Sequence, residues 1–202
     1  GRRVLDFGFG SIGHLRLLAS LGAEVTGIEV DALLDKLSSE QGDTGPVARS
    51  GPGNAAKAGK QGSIRLLFGQ FPTDSTIVAR AGQGYTLFVS KNTLKRGYIH
   101  PEREVDPRFL VHLGVDDPTY VRAVFALLAP GGYFMIYNLS PAPSKPEEPY
   151  KPWSDGRSPF TRTLLEQAGF EVLAFDQDDT STARAFGKAL GWDADMNLET
   201  DL

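Results

Sequence analysis

From Val4 to Asp31 the chain reads VLDFGFGSIGHLRLLASLGAEVTGIEVD. Val4, Leu5 and Phe7 form a short apolar run that stops at Gly8, and Gly8, Gly10 and Gly13 follow as GxGxxG. Leu15, Leu17, Leu18 and Leu21 then predict an amphipathic helix that Gly22 ends, and Val25 to Val30 predicts a second strand with Glu29 near its end. A tight strand-to-helix turn uses backbone angles that only glycine adopts cheaply. A glycine also lets a phosphate or ligand backbone approach where no Cβ stands in the way. An acidic residue about 20 positions on is placed to accept hydrogen bonds from ribose hydroxyls. Strand, glycine turn, helix and strand-end carboxylate together predict a nucleotide-type cofactor. Glycines serving only the packing of an ordinary βαβ turn are the other reading.

Working outward, Asp31 caps a short helix of ALLDKL, and Gln41 to Gly62, rich in Gly, Ala, Ser and Pro, reads as a long flexible loop. Its Arg49, Lys57 and Lys60 either touch an anionic partner or keep the loop soluble. Ser63 to Phe68 is a third strand, Ser75 to Ala81 a helix, and Tyr85 to Ser90 a fourth strand. Lys91 to Asp117 is a long connection, Pro118 to Leu128 a helix, and Tyr133 to Asn138 a fifth strand. Ser140 to Pro159 is proline-rich and carries Tyr150 and Trp153. A helix from Phe160 to Ala168, capped by Gly169, leads to a sixth strand, Phe170 to Phe175, and Thr182 to Leu190 reads as a helix. Strands alternating with helices predict an α/β fold, a doubly wound, mostly parallel sheet, in one domain spanning residues 1–202. Ligands bind at the carboxyl edge of such sheets, so 91–117 and 138–159 are expected to wall the site.

Composition narrows the classes. The 202 residues are 41% hydrophobic and 23% charged, with a net charge of -4, which gives no nucleic-acid footprint. There is no cysteine, so disulfides, thiolate metal sites and a cysteine nucleophile are excluded, and the absence fits a cytoplasmic protein. Three dispersed histidines leave no dedicated transition-metal site expected. No segment approaches the ~18 apolar residues of a membrane span. GRRVLDFG enters a strand at once, which predicts no leader in this chain and a missing segment ahead of it.

Asp6 lies inside the first strand, two residues before Gly8, where an ionised side chain is costly unless paired or hydrogen-bonded. It is placed to receive a ligand amine or to orient the turn. With LDFGFG, GIEVD, LLAPGGYFMIYN and LLEQAGFEVLAF in this order, Val4 to Phe175 resembles the S-adenosylmethionine-dependent methyltransferases of the seven-stranded, Rossmann-like class. The resemblance implies that fold, here without its N-terminal helices and with its last strand in question. It implies S-adenosylmethionine as cofactor and methyl transfer to a small-molecule acceptor. It assigns Asp6, Gly8, Gly10 and Gly13 to the methionine moiety, Glu29 to the ribose, Gln70 and Phe71 to the adenine, and Ser90 to the floor of the site. Gly13 stands one place later than the commonest family spacing, and Gln70 stands where the family usually has an acidic residue.

An in-line displacement from a sulfonium asks the protein mainly to align and shield the reactants. The acceptor is expected near Lys91, Asn92 and Thr93, with Asn92 either bonding the acceptor atom or simply ending the strand. His100 and Tyr98 are candidates for base or acceptor contact, and His14 for the cofactor carboxylate. His112 reads as structural or solvent-exposed. Tyr150 and Trp153 either form a lid or anchor their loop. SKNTLK lacks the Asp/Asn-Pro-Pro-aromatic motif of amide and exocyclic-amine methylation. An NAD(P)-dependent oxidoreductase, on the strength of GxGxxG, and a non-catalytic methyltransferase-like module are the alternatives.

Overall fold

The computed structural model describes residues 2–50, 60–141 and 143–201. In chain order the principal elements are β1 (Arg3–Phe7), α1 (Gly13–Ser20), β2 (Glu24–Glu29), α2 (Ala32–Leu37), β3 (Gly45–Val47), β4 (Gly62–Phe68), α3 (Ser75–Ala81) and β5 (Tyr85–Lys91). They continue as α4 (Arg96–Ile99), α5 (Asp117–Leu127), β6 (Leu128–Tyr137), α6 (Arg162–Gln167), α7 (Thr180–Ala189) and α8 (Leu198–Asp201). The strands form one six-stranded sheet in the order β3-β4-β2-β1-β5-β6, parallel except for β3, which runs antiparallel to β4. This is the α/β, doubly wound, Rossmann-like architecture expected. No helix among the described residues is long and apolar enough to cross a membrane.

Contacts divide the chain into two compact units, 1–91 with 113–137, and 92–112 with 138–202. In the first, the period-two alternation of the strands supplies a core on each face of the sheet. Val4, Val25, Ile64, Leu66 and Val89 pack with Leu15 and Ala19 of α1 on one face. On the other, Phe7, Phe71, Phe88 and Tyr120 of α5 form an aromatic cluster with centroids 5.6 to 6.3 Å apart. Leu17 and Leu21, counted into the apolar face of α1 from sequence, are exposed.

The second unit is built of short helices and the proline-rich segment. Residues 92–112 and 138–159 interlock in it: Arg103 donates to the carbonyls of Lys145, Pro146 and Glu148, and Phe109 meets Trp153 edge-on at 5.7 Å.

Three expectations are corrected. Gln41 to Gly62 is not loop throughout. β3 pairs Gly45 to Val47 with Ile64 to Gly62, and Arg49 holds the carbonyls of Leu21 and Lys60. Lys57 falls outside the described residues. Phe170 to Phe175 is not a strand. Phe170, Val172 and Phe175 are half-buried while Leu173 and Ala174 are exposed, which breaks the alternation a strand needs. Arg162 instead holds this segment to α6, over the Phe175 ring and on the Val172 carbonyl. The last strand, in question from sequence, does not follow: the chain runs through α8, and no seventh strand is present among the described residues.

Candidate functional site

The sheet order reverses at β1: β2 and β4 extend to one side, and β5 and β6 to the other. The crevice outside the carboxyl ends of β1 and β5 is therefore the topological switch point, where open α/β sheets bind ligands. The sequence places a glycine turn there. Gly8 and Gly10 have φ of 70° and 62°, left-handed values that a side chain would oppose. Gly8 N–H donates to the Ile28 carbonyl at 2.9 Å, which ties the turn to β2.

The glycines do different work. A Cβ on Gly27 of β2 would stand 2.7 Å from Phe9 Cδ1 and 3.1 Å from Leu15 Cδ1, so that glycine serves packing. A Cβ on Gly10 or Gly13 would meet nothing within 4 Å. Gly13 lacks even a left-handed φ to explain it. The turn's outer surface is open, and α1 begins there with no side-chain cap on its backbone N–H groups.

Glu29 ends β2 beside this turn. Its Oε2 accepts from Gly10 N–H at 3.3 Å, and its Oε1 from the N–H groups of Val30 at 2.8 Å and Asp31 at 3.4 Å. These bonds fix the carboxylate and leave it further acceptor positions, since each oxygen carries two lone pairs.

Asp6 is fully buried on the α1 face of β1. Its Oδ2 lies 2.5 Å from His14 Nε2 and 3.1 Å from Lys91 Nζ, and those two nitrogens are 2.9 Å apart. The register explains the meeting. Asp6 pairs with Val89 on β5, so Lys91, two residues on, projects from the same face, and His14 comes from the first turn of α1. Asp6 Oδ1 is buried with no hydrogen-bond partner. Lys91 and His14, read from sequence as acceptor-side and cofactor-carboxylate contacts, are thus brought to Asp6. The register that joins Lys91 to Asp6 is a tertiary fact that the sequence reading missed.

Phe71, expected beside the adenine, is 0% exposed, with its ring in the aromatic cluster. Gln70, just after β4, is half-buried, and Ser90 is fully buried near the end of β5.

The remaining candidates belong to the second unit. Asn92 has φ 59°, a left-handed value that Asn tolerates, and its Oδ1 accepts from Leu139 N–H at 2.8 Å. His100 is exposed at the end of α4. Tyr150 receives the Arg103 guanidinium at 5.2 Å from its ring, and Trp153 packs on Phe109, so both hold their loop.

The sequence reading passed over Lys95. It is 3% exposed, and its ammonium donates to the Leu139 carbonyl at 2.6 Å, the Trp153 carbonyl at 3.1 Å and Ser140 Oγ at 3.2 Å. Burial lowers its pKa to about 8. Nothing local marks a lysine for burial, so no sequence signal pointed to it.

No family model and no curated protein matches the chain. Among solved structures, the crystal structure of the glycopeptide N-methyltransferase MtfA complexed with (S)-adenosyl-L-methionine matches at 21% identity and a TM-score of 0.33. The match covers 67% of this chain, which spans under half, 46%, of that one. A likeness of this size carries no argument about activity, and any functional reading rests on the residues at the β1 turn.

Proposed function

We propose that this chain binds S-adenosylmethionine at the β1 turn and transfers its methyl group to a small-molecule acceptor. Asp6 carries the reading. A carboxylate buried in β1, with one oxygen lacking a donor, stands beside a glycine turn whose outer surface is open. A turn that cradles pyrophosphate gains nothing from a buried negative charge at that place. A ligand that brings an ammonium and no phosphate suits it. The residues fit such a group: Asp6 and the turn toward the aminoacyl end, Glu29 toward the ribose hydroxyls, and Gln70 toward the adenine.

The bound sulfonium supplies an already activated methyl group. The chain's part is to bind, orient and exclude water. Glu29, braced by three backbone N–H groups, is a preorganised acceptor. Ser90 stays as the proposed floor, and Asn92 and His100 as the proposed acceptor-side residues.

S-adenosylhomocysteine is expected to raise the thermal midpoint, with NAD and NADP leaving it unchanged. Glu29→Ala is expected to weaken S-adenosylhomocysteine binding by roughly 1.5–3 kcal/mol, the value of charge-assisted hydrogen bonds, with far-UV circular dichroism unchanged. A midpoint raised by NAD alone favours the oxidoreductase reading, for which the open Gly13 at GxGxxG spacing is the supporting observation. Stabilisation by S-adenosylhomocysteine with no methylated product across an acceptor panel favours a non-catalytic module.

A further inference from the structure

Asp6, His14 and Lys91 form a triangle whose three edges cannot all be hydrogen bonds at once. All three contacts run through Asp6 Oδ2, His14 Nε2 and Lys91 Nζ, at 2.5, 3.1 and 2.9 Å. If Nε2 carries a proton toward Asp6, it cannot accept from Lys91. If Nε2 accepts from Lys91, its approach to Asp6 sets lone pair against lone pair. Meanwhile Oδ1 of the same carboxylate is buried with no donor. Two nitrogens crowd one oxygen while its twin has none, so the carboxylate is only partly satisfied.

Access to Asp6 runs past its partners. Its side chain is 0% exposed, whereas those of His14 and Lys91 are 26% and 33% exposed. Lysine is the adaptable member, a point charge on a flexible four-carbon stem at the end of β5, beside the switch-point crevice. Imidazole, on the first turn of α1, has two rotatable bonds and less reach.

We propose that Lys91 is an internal stand-in for the primary ammonium of a ligand. It covers Asp6 and yields that carboxylate when a ligand amine arrives, so it sets the affinity for amine-bearing ligands. The inference rests on the reading above, in which the ligand's α-ammonium is that of S-adenosylmethionine. It gives Lys91 a binding role in place of the acceptor-side role expected from sequence. Two ammonium groups at one buried carboxylate repel, so the ligand amine competes with Lys91 for it. The amine is therefore worth little to affinity while Lys91 is present, and much once it is gone.

The test is isothermal titration of the full chain with S-adenosylhomocysteine and with its deamino analogue, which keeps the carboxylate and lacks the amine. The wild type is expected to bind the two with similar affinity. Lys91→Met is expected to prefer S-adenosylhomocysteine by a further factor on the order of tenfold, as a coupling between neighbouring groups. Lys91→Gln, a second variant of ordinary solubility, is expected to behave likewise, and Asp6→Asn combined with Lys91→Met to lose the preference. A merely structural lysine shifts both ligands together and leaves their ratio alone. An unchanged ratio in folded variants that still bind S-adenosylhomocysteine overturns the stand-in and leaves the cofactor reading intact. Binding of neither ligand to wild type or variants overturns both.

Discussion

At the scale of single residues, two glycines differ in the space around them. Gly13 has room for a Cβ, and Gly27 has none. Gly13→Ala replaces an expensive helix former at the start of α1 without a clash, so stability should hold or rise by up to about 1 kcal/mol. Its Cβ nonetheless projects from the open surface of the turn, and S-adenosylhomocysteine binding should weaken measurably by titration. Gly27→Ala forces Phe9 and Leu15 aside and should cost about 1–3 kcal/mol in denaturant unfolding. If Gly13→Ala binds ligand as the wild type does, the turn is not the ligand surface. GxGxxG alone showed where the glycines are, and the surrounding atoms separate their roles.

At the scale of elements, three helices start on an aspartate whose carboxylate accepts from their first N–H groups: Asp31 on Leu33, Asp74 on Thr76 and Ile77, and Asp116 on Thr119. Hydrogen bonding from Thr76 holds the Asp74 pKa below its ordinary value, and hydrogen bonding from Thr119 does the same for Asp116. The folded state then prefers the ionised form. The stabilisation is present above the ordinary carboxylate pKa and is lost as pH falls through the lowered values. Chemical denaturation between pH 5 and about pH 2.5 should show the unfolding midpoint falling. Asp74→Asn should flatten part of that fall while keeping its cap, since Asn caps as well as Asp. A slope identical to that of the wild type rules out this source. These starts were legible from sequence because a cap is local: Asp31 was read directly, and α3 and α5 were placed within a residue. The strand at Phe170 to Phe175 was misread because five apolar positions among six residues satisfy a strand and an irregular segment alike.

At the scale of the whole molecule, the chain enters its second unit at Asn92, leaves after His112 and returns at Asn138. Lys95 fastens the two passages, with its ammonium on Leu139, Ser140 and Trp153. Lys95→Met removes the donor to three acceptors and should destabilise this unit by about 1–3 kcal/mol at pH 7. Burial lowers the folded pKa from 10.5 to about 8, so between those values the unfolded state holds more protons. The Lys95 contribution should therefore rise with pH across that window, by up to roughly 3 kcal/mol. Denaturation of wild type and Lys95→Met at pH 7.5 and pH 10 measures it. A difference between the two proteins that does not grow with pH excludes a lowered folded pKa for Lys95.

The sequence by itself determined what short-range chemistry controls. It set the strand-turn-helix-strand order, the parallel α/β class, the glycine turn and the placement of Glu29 one strand away. Each follows from hydrophobic period, backbone freedom or a cap within a few residues. Only the tertiary structure decided which side chains meet across the sheet. Lys91 reached Asp6 because β1 and β5 pair with Asp6 opposite Val89, a register set by packing between residues some 80 positions apart. Phe71 entered the core because Phe7, Phe88 and Tyr120 converge on it, and Lys95 is buried because two distant passages close over it. Charge and size are written in each residue, but burial and partnership belong to the residues around it.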